Sequence, residues 1–499
     1  MLLSEFSVVV VVRMGEITIK GRRTRERFEH LLLRNMQDSL RSSGLRRYRI
    51  RRERGRFFVY ADDEVEAVTA LRRVFGIKSL SIANEIIFTD LEELVEKAEN
   101  FFAEKVKGRS FAVRARRSGQ HPFTSIDVER KLGEALLKYG SRVDLENPDV
   151  TAYVEVRGAH AYLYTDVVKA YGGLPIGSEG RVVALVSGGF DSPVAAWYML
   201  RRGAEVHYVL CKLGGPVHEV GALHVLKVLA DKWSYGYSPK LYVVDFRELV
   251  RDIREKCNLP LFNVILKRFM YRAADLVARE LRAEAIVTGE SLGQAASQTL
   301  RNLYVSSMAV RTQILRPLIG FDKDDIIAMA REIGTYEASA RVKEYCGAFA
   351  EHPRTHASLE EVEAEEEKVE ASLLEKAVRE AKVYDLKSVS IEERSEDLEL
   401  SWIPENAVIV DLRSGDKFGK WHIPGSLNLS FDRLVDEIGK LDPSTTYVLV
   451  CDEGALSLEA AYMLRKMGFK AFSLRGGIRK ARRKLRAGGS MSRGEMGQL

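Results

Sequence analysis

The sequence is poor in cysteine, lacks any long apolar run, and contains no G-x-x-x-x-G-K-[ST] phosphate-binding signature. Its 499 residues hold four cysteines (Cys211, Cys257, Cys346 and Cys451), widely spaced and without a C-x-x-C pair. That spacing excludes a disulfide scaffold and a zinc knuckle, so no metal site is expected. A reducing, cytoplasmic compartment is expected, in which any disulfide is catalytic rather than structural. No apolar stretch approaches the ~18 residues of a membrane span, so no membrane association is expected. The valine-rich run Phe6 to Val12 lacks the basic region and small-residue cleavage site of a signal peptide and reads as a buried first strand.

A hydrophobic content of 46% and a charged content of 30% belong to a globular chain, and the length calls for several domains. The formal net charge of +6 conceals a segregation. Residues 1–60 carry 15 Lys+Arg against 6 Asp+Glu, whereas residues 359–400 carry 6 against 15. The N-terminal end attracts polyanions and this interior segment repels them.

Strand and helix signals alternate from the start. FSVVVVVRMGEITIKG, an amphipathic stretch from Arg25 to Ser42 and the period-2 run YRIRRERGRFFVYA predict a small α+β unit with a hairpin. A second such unit follows, with helices near Leu91 to Lys105 and Ser125 to Lys138 and strands SFAVRARR, TAYVEVRG and AHAYLYTDV. The glycine-rich piece 171–180 ends it. From Arg181 to about Ala350, strands alternate with helices, which predicts a doubly wound parallel sheet with ligands beyond the strands' carboxyl ends. An acidic, helix-prone stretch, Ser358 to about Arg394, reads as a helical linker. Residues 402–485 form a last small α/β unit with strands AVIVDLR, TYVLVC and KAFSLR.

Two places carry chemistry. RVVALV-SGGFDS-PVAAWYML sets a glycine-rich turn between a strand and a helix, so backbone N–H groups and the helix N-terminus face a bound anion. Gly188 and Gly189 allow close approach, Ser187 and Ser192 offer hydroxyls, and Asp191 can orient magnesium or the attacking group. The second place is YVLVC-DEGA-LSLEAAYMLRKMGF, in which Cys451 ends a strand and C-x-x-G-x-x-S turns into a helix. Backbone donors and the positive end of the helix dipole there are expected to make the sulfur reactive.

SGGFDS resembles the loop of the PP-loop ATP pyrophosphatases, which split ATP between its α and β phosphates to adenylate a carbonyl oxygen. LGGPVHEVG (213–221), NVILKRFMYRAA (263–274), VTGESLGQAASQT (287–299), RPLIGFDKDDI (316–326) and RMGEITIKG (13–21) resemble one branch, the tRNA uridine 4-sulfurtransferase family. VIVDLR (408–413), HIPGSLNL (422–429) and LRGG (474–477) with Cys451 resemble a rhodanese domain, whose cysteine carries sulfane sulfur.

The resemblance implies an α/β multidomain protein: a ferredoxin-like domain (1–62), a THUMP RNA-binding domain (63–168), a PP-loop adenylation domain (178–355), an acidic helical linker (356–400) and a rhodanese domain (401–485). Leu185 and Val186 then border the nucleotide, Lys267 contacts it, Gly289 and Gln298 complete the pocket, and Asp191 and Lys323 serve adenylation. Cys346, in KEYCGAF, matches a second reactive cysteine that resolves the reaction as a disulfide with Cys451. Members lacking a rhodanese domain use an iron-sulfur cluster held by extra cysteines; Asn263 and Leu266 stand at those places here, so no cluster is expected.

Arg22 and Arg23 in one basic segment, Arg47, Arg49 and Arg51 in another, and Arg114 and Arg116 of SFAVRARR are the RNA-binding candidates, with Tyr48 and Phe57 interleaved. The partners implied are tRNA, presenting the uridine at position 8, a cysteine desulfurase as persulfide donor, a thiol reductant, and a sulfur carrier protein of thiamine thiazole synthesis. ATP is the co-substrate, with Mg2+. Two rivals remain at this point: a PP-loop enzyme adenylating a small metabolite, which leaves the basic N-terminus and the rhodanese motifs without a purpose, and a non-catalytic RNA-binding protein, against which the intact SGGFDS stands.

Overall fold

The computed structural model describes residues 7–53, 55–342, 353–390, 398–431, 433–434 and 441–486. Two compact units emerge: residues up to 179 with 200–204 and 233–237, and the remainder.

The first unit is built on one continuous nine-stranded sheet. Its strands are β1 (Ser7–Met14), β2 (Tyr48–Glu53), β3 (Arg56–Ala61), β4 (Ile77–Ile87), β5 (Ser110–Ser118), β6 (Arg142–Val143), β7 (Val150–Arg157), β8 (His160–Tyr164) and β9 (Val168–Lys169). The valine run of β1 is explained by burial on both faces. Val10, Val12 and Met14 face one core, and Val9 and Val11 face another with Phe58 and Tyr162. β2 and β3 form the expected hairpin, turning at Gly55 with φ +79°.

β4, eleven residues long, pairs with β1 over Ile77–Glu85 and with β8 over Asn84–Ile87, so it belongs to both halves of the sheet. Helices α1 (Arg22–Ser42) and α2 (Glu64–Leu71) cover the first half; α3 (Leu91–Val106) and α4 (Ser125–Leu136) cover the second. The expected boundary at 62/63 therefore falls inside one core. Ala67, Val68 and Leu71 of α2 pack with Phe28 and Leu32 of α1, and the change of core comes within β4.

In the second unit, β10 (Arg181–Val186), β11 (Glu205–Lys212), β12 (Lys240–Asp245), β13 (Ala285–Val287) and β14 (Gln313–Leu315) are parallel, in the order β14-β13-β10-β11-β12. The chain winds outward from β10 on one side and returns to its other side as β13. This places a topological switch point at the carboxyl end of β10, where SGGFDS begins. The helices are α5 (Asp191–Arg201), α6 (Pro216–Trp233), α7 (Arg247–Lys256), α8 (Phe262–Leu281), α9 (Leu300–Ser307), α10 (Lys323–Ile333) and α11 (Tyr336–Ser339).

The acidic stretch differs from a free linker. It forms α12 (Leu359–Glu366), α13 (Ser372–Arg379) and β15 (Lys382–Asp385), the last an antiparallel edge strand on β12. Ala357, Val362, Val369 and Leu374 enter the same core as α8.

The terminal part of this unit is a five-stranded parallel sheet, β16 (Glu399–Leu400), β17 (Val408–Asp411), β18 (Leu427–Asn428), β19 (Thr446–Val450) and β20 (Lys470–Leu474), ordered β16-β20-β19-β17-β18. It carries α14 (Gly415–Lys420), α15 (Ala455–Lys466) and α16 (Gly477–Arg486).

Candidate active site

The apolar strand β10 runs from the core to the switch point and delivers Ser187 to Phe190 as a tight loop into α5. Gly188 adopts φ +82°, and a Cβ there would lie 2.9 Å from Val342 Cγ1, so this glycine is needed for both conformation and space. Within the loop, Ser187 N–H donates to Ser192 Oγ and Gly189 N–H to Ser187 Oγ, both at 3.4 Å. Such long bonds are readily exchanged for shorter ones to an anion. Asp191, at the start of α5, receives Lys323 Nζ at 2.7 and 2.9 Å. Lys323 opens α10, so the expected adenylation pair is assembled from residues 132 positions apart.

The opposite wall is the loop after β13. Gly289 presses on the start of α5: a Cβ there would lie 2.7 Å from both Asp191 C and Ser192 N. Beside it, Glu290 is 2% exposed and accepts hydrogen bonds from Tyr271 (2.7 Å), Thr288 (2.8 Å) and Arg316 (2.9 Å), with Lys267 Nζ 3.4 Å away. Burial works to raise the Glu290 carboxyl, but Lys267, Arg316 and the two hydroxyls outweigh it and hold it below the ordinary range. The carboxylate thereby fixes Lys267 on α8 at the site. Gln298 accepts from Ser291 N–H at 3.0 Å and stiffens the same loop, while Leu185 is half-buried and Val186 buried on β10.

Cys451 follows β19 directly. Gly454 N–H donates to its Sγ at 3.1 Å, and Ser457 Oγ lies 3.5 Å away, itself paired with Ser473 Oγ at 2.8 Å. The turn requires Gly454 at φ +98°, immediately before α15. Gly477 is required as well, since a Cβ there would meet Cys451 O at 2.3 Å. Ile478 N–H donates to that carbonyl at 2.8 Å. Lys417 holds Asp452 of the same loop at 3.0 Å, and Arg413, paired twice to Asp411, stands 3.7 Å from Asp452. The loop thus cups the sulfur with the Gly454 N–H, while Lys417 and Arg413 stand at the neighbouring Asp452.

Family descriptions match the chain in series: the ThiI ferredoxin-like domain over residues 9–81, the THUMP domain over 88–166, thiamine biosynthesis protein (ThiI) over 177–371 and the rhodanese-like domain over 396–484. A tRNA sulfurtransferase of Pyrobaculum aerophilum is 43% identical over 476 residues, covering 94% of this chain and 96% of its own. The Escherichia coli O157:H7 tRNA sulfurtransferase is 38% identical over 473 residues, covering 92% and 98%. The chain belongs to the tRNA sulfurtransferase family. A solved 4-thiouridine synthetase–RNA complex with bound ATP is also similar, with a TM-score of 0.66 and 32% identity over 76% of this chain and 99% of that one.

Within this family frame the expected nucleotide residues converge. Gly289 lies against Asp191 and Ser192 of the SGGFDS loop, Lys323 pairs with Asp191, and Lys267 reaches Glu290 beside Gly289. Cys346 lies outside the described residues; Val342, four positions earlier in sequence, packs against Gly188. Cys211 and Cys257 are buried in the core, and burial first, then the Glu365 carboxylate, pushes the Cys257 thiol up to about 11.

The arginine candidates divide. Arg22, Arg23, Arg47, Arg49, Arg114 and Arg116 are exposed, Arg49 lying over the Tyr60 ring at 4.8 Å. Arg51 is instead committed within the unit, bonded to Glu85 at 3.0 Å and to the Tyr162 hydroxyl and stacked near Phe58.

Sequence reasoning missed Glu290, Tyr271, Arg316 and His218. All four stand in the quoted strings VTGESLGQAASQT, NVILKRFMYRAA, RPLIGFDKDDI and LGGPVHEVG, but a carboxylate that organises cations is not signalled by spacing alone. His218 Nε2–H donates to Ser187 O at 3.3 Å while Nδ1 accepts from Gly214 N–H at 3.4 Å. Burial brings its pKa down to about 4, so the ring is neutral near pH 7.

Proposed function

We propose that this protein is an ATP-dependent tRNA sulfurtransferase that adenylates the uridine at tRNA position 8 and replaces the activated oxygen with sulfur from Cys451, giving 4-thiouridine. One observation carries the reading: the SGGFDS loop with its Lys323–Asp191 pair and the Cys451 cup lie in the same compact unit. The 4-thiouridine synthetase–RNA complex with bound ATP supports the choice of substrates.

Asp191 is the carboxylate that would hold a magnesium ion, which would neutralise phosphate charge, while Lys323, now paired with Asp191, is within reach of the same phosphates. Lys323, Lys267 and the loop N–H groups face the negative charge that develops as pyrophosphate leaves. The uridine carbonyl oxygen attacks the α-phosphate, forming an adenylated base, which turns a poor leaving group into AMP. The terminal sulfur of the Cys451 persulfide then attacks the base carbon and AMP departs. Cys346 thiolate attacks Cys451 Sγ, which releases thiouridine and forms the Cys346–Cys451 disulfide. A thiol reductant supplies two electrons to restore both thiols, and a cysteine desulfurase reloads Cys451.

The matched description of a thiamine biosynthesis protein favours a second use of the persulfide, delivery to a sulfur carrier protein for the thiamine thiazole. Mass spectrometry of unmodified tRNA incubated with the protein, ATP and a persulfide source tests the main reading. An ATP-dependent mass gain of one oxygen-to-sulfur exchange at position 8 is expected. Pyrophosphate release without any thiolated nucleoside would overturn it.

A further inference from the structure

Glu459 has no part in the chemistry above, yet it is 0% exposed. It is the fifth residue of α15, the helix that begins directly after the Cys451 cup. Its two carboxylate oxygens leave their own subdomain: Oε2 accepts from Val217 N–H at 2.9 Å and Oε1 from His218 N–H at 2.7 Å. Both amides sit in the first turn of α6, which opens with Pro216, so they are unpaired by the helix itself. The negative carboxylate faces the positive end of the helix dipole, and both bonds are charge-assisted. Removing a carboxylate from water is costly unless it gains such partners, so this side chain favours the docked arrangement.

An apolar contact lies beside it: Val217, Leu398 and Leu458 cluster with Tyr462, and Ala455 enters the core of the adenylation sheet. The opposite side of the same joint is the phosphate loop, since His218 reaches Ser187 O. A continuous path therefore links Cys451 Sγ, Gly454, α15, Glu459, His218 and Ser187.

We infer that Glu459 is a positioning residue for sulfur transfer: by capping α6 it docks the Cys451 cup against the adenylation half. The inference rests on the proposed sulfur transfer, but the docking itself is measurable without it. Gly215 provides a probe from the other side of the joint. A Cβ there would lie 2.7 Å from Glu459 Oε2, so Gly215→Ala displaces the carboxylate while leaving the sulfur-carrying subdomain's sequence intact.

The test uses full-length wild type, Glu459→Gln, Gly215→Ala and the double variant. Inorganic polysulfide loads Cys451, and unmodified tRNA transcript and ATP follow. In both single variants, cyanolysable sulfur on Cys451 and tRNA-dependent pyrophosphate release should stay within about twofold of wild type. Hydrogen exchange at the Val217 and His218 amides should accelerate at least about tenfold, and single-turnover thiouridine formation should slow by a similar factor. The double variant should be no slower than the slower single one. Unchanged amide exchange in both variants overturns the docking contact, and wild-type thiouridine formation in both overturns the positioning role. Should Glu459→Gln fail to load sulfur, Gly215→Ala decides by the same two readouts. A wild type that loads sulfur and releases pyrophosphate yet makes no thiouridine refutes the functional reading instead, leaving the exchange result to judge the docking.

Discussion

Replacing Gly289 by alanine isolates the geometry of the adenylation loop from its charges. Gly289 is not in the left-handed region, so alanine meets no backbone penalty there; the obstacle is space. The new Cβ would stand 2.7 Å from Asp191 C and Ser192 N and 2.9 Å from Ser192 Cα, all of them backbone atoms that cannot swing aside. Restoring ordinary contact requires a displacement of several tenths of an ångström at the first turn of α5. Overpacking of this kind costs roughly 1–3 kcal/mol. The larger effect falls on function, because Asp191 and Ser192 are the atoms displaced, and a misplacement on the order of 1 Å can cost about 100-fold in rate. The assay is tRNA-dependent pyrophosphate release at saturating ATP, with Gly320→Ala as control, since a Cβ at Gly320 meets nothing within 4 Å. A Gly289→Ala protein as active as the control would refute the argument that this glycine sets the loop.

Lys323→Ala and Asp191→Asn should each abolish pyrophosphate release, by about 100-fold or more, while tRNA affinity stays within about twofold; equal loss of both in a folded variant would contradict the assignment. On the basic unit, Arg49→Ala with Arg114→Ala should lower the salt slope of tRNA binding by roughly 0.7–0.9 for each phosphate no longer neutralised, read by filter binding. Arg51→Ala, by leaving Glu85 and Tyr162 short of a partner, should instead lower stability by roughly 1–3 kcal/mol. His218 and His207 are both brought down to about 4 by burial, so the unfolded chain binds their protons first as the pH falls below its ordinary ~6.5. Stability is therefore complete above about 6.5 and declines by about 1.4 kcal/mol per pH unit per histidine down to about 4. His218→Gln should make the fall in denaturant midpoint between pH 6.5 and 5 shallower, and an unaltered pH dependence would count against its buried neutral state. Cys451→Ser should carry no persulfide, whereas Cys346→Ser should load sulfur yet fail to turn over. Peptide mapping after one turnover without reductant should find the Cys346–Cys451 disulfide, which needs Cα atoms within roughly 7 Å.

How much of this was legible in the sequence depended on how local its signal was. Strand, glycine turn and helix are consecutive in RVVALVSGGFDSPVAAWYML, so the phosphate loop could be placed from the string alone, and the same holds for Cys451 between β19 and α15. The convergence of Lys323 on Asp191 came only through resemblance, because 132 residues separate them. Arg51 looked like its neighbours in a basic hairpin. Only the register of β2, β3 and β8 shows that it points at Glu85 and Tyr162 rather than outward. The boundary at 62/63 came with the resemblance; α2, just beyond it, packs with α1 in one core, and the change of core comes inside the long β4.

The acidic stretch shows where counting charges goes astray. Fifteen acidic residues in 359–400 suggested a linker that repels polyanions, but Val362 on α12 and Val369 in the turn that follows it are buried in the core around α8. Three of the acids between them have internal partners, Glu365 accepting from Asn258 N–H at 2.8 Å. Glu366 binds Arg268 at 2.7 and 3.0 Å and Arg272 at 2.6 Å, with Glu363 3.3 Å from Arg268, whose side chain is 1% exposed. Arg268 also donates to Val305 O at 2.7 Å, joining α12, α8 and α9 at one guanidinium. A buried arginine left without its carboxylate typically costs about 3–5 kcal/mol, so α12 cannot leave α8 freely. Lys267 is the adjacent residue on α8, held from the other side by Glu290. The segment that looked like a tether between domains therefore acts as a strap on the helix that carries Lys267. Removing residues 359–385 should then impair adenylation as well as the placement of the sulfur carrier.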